Sequence, residues 1–110
     1  MSPRVSRIAA LNDQFRSTFT GGDIVMTSGI ASLDDPQRVA VLQQVQGFAA
    51  FSFENDPYGE RDFGAIDLPG IEKVFWKIDY YDPKLEFGSE DPSDPNVTRR
   101  VLTIMLASEY

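Results

Sequence analysis

Residues 72–81 read E-K-V-F-W-K-I-D-Y-Y, and their alternation decides the fold. Val74, Trp76, Ile78 and Tyr80 fall on one side of an extended chain, and Phe75, Lys77, Asp79 and Tyr81 on the other. A period of two is the signature of a β-strand. The first set predicts the core face. The second mixes aromatic and charged groups and predicts a face only partly covered.

Downstream, Asp82 to Asn96 holds three prolines, one glycine and five acids (Asp82, Glu86, Glu90, Asp91, Asp94), opposed only by Lys84. This predicts a long surface loop, and such loops in compact domains are more often functional or mobile than idle. Residues 98–108, T-R-R-V-L-T-I-M-L-A-S, put Leu102, Ile104 and Leu106 on one side and Val101, Thr103 and Met105 on the other. A central strand fits that pattern, with a buried helix as the alternative.

Upstream, D-L-P-G at 67–70 has the chemistry of a turn, and so does E-N-D-P-Y-G-E-R-D at 54–62. Strands are predicted over 63–68 and over 48–53, the latter with Ala49, Phe51 and Phe53 on one face. Asp34 or Asp35 as cap, Pro36 at the first position and a Val39, Leu42, Val45 stripe predict a helix over 36–46, ending near Gly47. D-I-V-M-T at 23–27 reads as a short strand. Ser2-Pro3 followed by Val5, Ile8, Leu11 and Phe15 predicts a helix over 3–15, with Thr20-Gly21-Gly22 closing the region. The order predicts a single α+β domain over 1–110: an antiparallel sheet of about four or five strands with two helices packed on one face.

Composition narrows the chemistry. The 110 residues contain no cysteine and no histidine, which removes disulfides, thiolate nucleophiles, His-based triads and the usual zinc sites. No apolar run approaches the roughly 18 residues of a membrane span, and the first twenty residues lack a signal-peptide core, so a cytoplasmic, membrane-free protein is expected.

The charge is uneven. Residues 1–53 hold four acids against four bases; residues 54–110 hold thirteen acids against six bases and carry the whole net charge of -7. Such a field repels nucleic acid and anionic lipid and steers toward basic protein surfaces.

Two acidic clusters follow from this: Glu54, Asp56, Glu60 and Asp62, and then Asp79, Asp82, Glu86, Glu90, Asp91 and Asp94. Acids in turns also serve solubility and cap backbone groups. A calcium loop aligned on Gly59 places Ala65 where a bidentate Glu belongs, and Gly88-Ser89-Glu90-Asp91 fits no better. Thr20-Gly21-Gly22 lacks the Lys-Ser or Lys-Thr of a phosphate loop. No metal or cofactor is therefore assigned. Alternate residues on a strand lie roughly 6.7 Å apart, close to two phosphate steps of DNA at roughly 3.4 Å each, so a rigid array of acids can occupy a groove built for nucleic acid. Tyr58 and Tyr81, beside these acids, are candidate anchors.

Residues 76–110 (W-K-I-D-Y-Y-D-P-K-L-E-F-G-S-E-D-P-S-D-P-N-V-T-R-R-V-L-T-I-M-L-A-S-E-Y) resemble a small family of bacterial proteins of unknown function. So do R-I-A-A-L-N-D at 7–13 and V-M-T-S-G-I-A-S-L at 25–33. Members tend to be encoded among accessory genes of plasmids and other mobile elements, beside antirestriction functions. The resemblance implies no activity, cofactor or catalytic residue. With the acidic half, it leads to the expectation of a non-enzymatic module that binds a basic protein surface and mimics nucleic acid, as an anti-CRISPR or antirestriction inhibitor would. The alternatives are an accessory or scaffold domain, dimeric through the second sheet face, and a small carboxylate-dependent enzyme.

Overall fold

A computed structural model describes residues 2–110. Helix α1 spans Pro3–Thr18, with the Ser2 side chain accepting from the Val5 amide and Pro3 in the first turn. It stops where Phe19 turns left-handed (φ 57°), one residue before the Thr-Gly-Gly segment. Strand β1 (Gly22–Met26) follows, then a single-turn helix α2 (Ser28–Ala31), and α3 (Asp35–Gln46), whose cap is Asp34 accepting from the Gln37 amide.

Three strands complete the chain: β2 (Phe63–Ile66), β3 (Val74–Tyr81) and β4 (Arg99–Leu106), with a 3-10 turn at Ala107–Glu109. The last region is strand and not helix. The sheet order is β1-β4-β3-β2. β3 pairs antiparallel with both β2 and β4, as the turn chemistry predicts, but β1 pairs parallel with β4, Ile24 opposite Leu102. The sheet is therefore mostly, not wholly, antiparallel. Because more than seventy residues separate β1 from β4, no hairpin fixes their relative direction.

The alternation in residues 74–81 appears as read. Val74, Trp76 and Ile78 are buried with Leu102, Ile104 and Ile66, and Phe15, Ile30, Val41 and Val45 from the three helices join the same cluster. The helices thus cover one face of the sheet.

The strand expected over 48–53 is absent. Phe48 and Phe51 turn inward against Trp76, with ring centroids 5.4 and 6.1 Å away, while Ala49 and Ala50 between them are exposed. That is a spacing of three, which irregular chain can supply and a strand cannot. Phe53, expected on the same strand face as Phe51, is 86% exposed.

Buried Arg16 holds this segment. Its guanidinium donates to the Val45 and Phe48 carbonyls (3.1 and 2.8 Å) and to Asp13 (3.1 Å), and lies 5.1 and 5.4 Å from the Trp76 and Phe51 rings. Trp76 also explains Gly64 on β2: a Cβ there would sit 2.3 Å from the indole nitrogen.

Candidate partner-binding surface

The register places both acidic loops at one end of the sheet. Residues 47–62 lead into β2, whose first residue Phe63 pairs with Lys77, and the Ile78 amide donates to the Asp62 carbonyl at 2.8 Å. Residues 82–98 leave β3 and enter β4 at that same end, where Tyr81 pairs with Arg99. The first turns of α1 touch both loops. Ser2 and Val5 line a cleft with Phe53, Asp56 and Tyr58, while Arg4 pairs with Asp91 at 3.4 Å and Arg7 donates to the Ser93 carbonyl at 2.7 Å.

The 82–98 loop is held in place by its own hydrogen bonds. Asp82 accepts from the Glu86 amide (2.9 Å), and its own amide donates to the Phe87 carbonyl (2.8 Å). Asp91 accepts from the Ser93 amide and hydroxyl, and those bonds hold its carboxyl below the usual carboxylate range, with Arg4 adding to the effect. Asp94 accepts from the Asn96 amide at 2.9 Å. In the other loop, Asp56 accepts from the Arg61 amide at 3.2 Å. These four candidate acids therefore build their loops as well as charging them.

Six more stand apart from such turns. Glu60 accepts from the Tyr80 hydroxyl at 2.8 Å, and Asp79 lies on the uncovered sheet face, paired with Lys77 at 3.0 Å. Asp62 is half-buried. Lost hydration, then the charges of Glu60, Asp56 and Asp79, push its carboxyl above the usual range, so the two clusters meet electrostatically there. Glu54, Glu86 and Glu90 are exposed and carry no side-chain hydrogen bond or ion pair among the described residues. No three of these acids converge closely enough to hold a metal ion, among the described residues.

Of the ten candidate carboxylates, two, Asp79 and Asp91, have a cation within salt-bridge distance among the described residues. Five other cations pair with acids outside the candidate set: Arg16 and Arg61 with Asp13, Arg38 with Asp35, Lys73 with Asp67, Arg99 with Asp23.

The two aromatic anchors part company. Tyr58 is 83% exposed beside equally bare Phe53. Tyr81 is half-buried on the uncovered face of the sheet, against Leu85 and Val101, away from Tyr58. Each loop also contains one non-glycine residue in the left-handed region, Arg61 (φ 56°) and Leu85 (φ 60°), a conformation that costs energy and is held by its surroundings.

Behind the acids lies a buried polar chain. Arg100 Nε donates to Asn12 Oδ1 (2.8 Å), Asn12 Nδ2 donates to the Tyr80 hydroxyl (2.8 Å) and the Glu60 carbonyl (2.9 Å), and the Tyr80 hydroxyl donates to Glu60. Burial holds the Tyr80 phenol well above its ordinary pKa. The chain links α1, β3 and β4 to the first acidic loop. The sequence signal for it was Asn12, one helical turn after Ile8 on the apolar stripe of α1.

Residues 26–109 match the family model described as "Protein of unknown function (DUF3768)". The chain belongs to this family. No curated protein and no solved structure matches it, so the fold described above is read from this chain alone. No helix among the described residues is long and apolar enough to cross a membrane.

Proposed function

We propose that this member of the family is a non-catalytic binding module whose acidic end engages a basic, nucleic-acid-handling surface of another protein, its carboxylates standing in for phosphates. The observation that carries the reading is the charge ledger of that end: eight of the ten candidate carboxylates lack a cation partner among the described residues. Fixed loops add to it, because acids anchored by turn hydrogen bonds lose little freedom on binding. Phe53 and Tyr58 supply apolar contact beside the charge, a combination suited to a protein groove. The resemblance to proteins of mobile-element accessory genes makes a cytoplasmic restriction or CRISPR complex the first partner to try.

The experiment is capture from a cell lysate on immobilised protein, at about 0.1 M and about 1 M salt, where the Debye length falls from roughly 10 to roughly 3 Å. A specific partner held at low salt and released at high salt is expected, and Glu54→Gln/Glu86→Gln/Glu90→Gln should weaken its capture. These three side chains support no loop contact, so their loss tests charge and not folding. Capture indifferent to both salt and the triple variant would overturn the proposal.

One observation favours a second reading. Asp56, Asp82, Asp91 and Asp94 all cap backbone groups in their own loops, as they would in a scaffold domain whose acids serve the fold. That reading predicts no effect of the triple variant on any partner.

A further inference from the structure

The face of the sheet turned away from the helices is unlike the rest of the surface. Its outward residues are Asp23 and Val25 on β1; Arg99, Val101, Thr103 and Met105 on β4; Phe75, Lys77, Asp79 and Tyr81 on β3; and Phe63 and Ala65 on β2. Two acids and two bases are among them, and each acid is paired with a base on the same face. Arg99 grips Asp23 through two hydrogen bonds (2.7 and 3.0 Å), and Lys77 meets Asp79 at 3.0 Å. In a chain of net charge -7 this face is neutral.

The face also has relief of two matching kinds. At one end Phe63, Phe75 and Tyr110 form an aromatic ridge, their centroids 5.3 to 6.1 Å apart, with Tyr110 74% exposed. At the other end Val25, Val101, Tyr81 and Leu85, rimmed by Asp23 and Arg99, line an open depression of about 520 Å³. Val25 and Leu85 are exposed there.

We infer that this face mates with the same face of a second copy, about a twofold axis near Thr103 and Lys77. The axis exchanges the two ends, so the ridge of each copy enters the depression of the other, giving the self-complementary contact that a twofold dimer requires. It also points the two acidic ends in opposite directions, which lets chains of like net charge approach through the one neutral side. Two strands of eight residues flanked by strands of five and four, about 4.8 Å apart, give a face of at most roughly 19 by 27 Å. The seated aromatic ridges and Leu85 enlarge the contact toward the roughly 800 Å² per partner of a standard interface.

Sedimentation equilibrium of the full chain from low micromolar to hundreds of micromolar tests this. The weight-average mass should climb from 12.3 kDa toward twice that value, and added salt should preserve or strengthen the association by screening the net charges. Val25→Arg and Tyr110→Ala should each weaken it at least about tenfold, the size of one interfacial anchor, whereas Val39→Glu on the exposed side of α3 should leave it unchanged. A monomer at every concentration overturns the inference, as does a dimer that both face variants leave intact. If Val25→Arg fails to fold, Thr103→Cys answers independently, since the chain has no other cysteine. A short thiol cross-linker should join Thr103→Cys chains into dimers and leave Val39→Cys chains as monomers; equal cross-linking of the two, or none, contradicts the twofold contact. The outcome does not depend on whether the acidic end finds a partner.

Discussion

The acidic end and the outer sheet face meet along Tyr81 and Leu85, yet they handle charge in opposite ways. On the face, every acid is matched by a neighbouring base; at the end, eight of the ten candidate carboxylates have no cation partner among the described residues, and four of the ten cap backbone amides. The segregation follows from chain architecture. A strand sets residues two apart side by side and brings diagonal cross-strand neighbours within reach of long side chains, so Lys77 reaches Asp79 and Arg99 reaches Asp23, which lies opposite Val101. The loops offer no such periodic neighbour, and Lys84 is the only base that the sequence provides between Asp82 and Asn96. Net charge therefore gathers where the backbone is irregular, and the regular surface is left neutral.

The largest effect is expected from releasing the first acidic loop. Arg16→Ala orphans the Val45 and Phe48 carbonyls and removes the cation from between Trp76 and Phe51; a loss of about 3 kcal/mol is expected in urea unfolding followed by Trp76 emission. Self-association through the outer face should persist at denaturant concentrations where the variant is still folded. Stability unchanged within about 0.5 kcal/mol would show that Arg16 does not hold the loop. Next in size, Asn12→Ala strips partners from buried Arg100 and Tyr80 and should cost about 2 kcal/mol, with amide exchange rising first around residues 58–62.

A smaller effect sharpens the contrast through pH. The Asp62 carboxyl binds its proton more tightly in the folded chain than in the unfolded one, because burial and neighbouring acids raise its pKa. Its ionisation therefore opposes folding above the folded-state value, and the penalty is relieved as pH falls through that value toward the ordinary carboxylate range. Asp62→Asn should stabilise the protein at neutral pH, by no more than a few tenths of a kcal/mol given the screening at a half-exposed site, and the advantage over the parent should shrink on acidification. An advantage that grows on acidification would reverse the assignment.

Much of this was legible from alternation and caps. The period of two in residues 72–81, Pro3 and Pro36 in the first turns of their helices, and the acid-rich stretch after Asp82 all appear in the fold where the sequence put them. The misreadings share one cause, which is that tertiary partners outrank local pattern. Phe48 and Phe51 look strand-like but point inward because Trp76 and Arg16 offer a cation-aromatic seat. Nothing local could orient β1, whose partner β4 lies more than seventy residues away. Within the site, the acids were visible as residues, but their division into loop-building and unpaired groups depends on amide directions that only the folded loops define. Tyr81 and Tyr58 read alike in sequence and separate because strand parity sends Tyr81 to the outer face.

The proposed seating of the acidic end on a surface made for nucleic acid is tested most directly by competition. Partner captured on immobilised protein at low salt should be released by duplex DNA added in solution, while an uncharged polymer of similar size releases none. Partner that stays bound through saturating DNA would contradict the account.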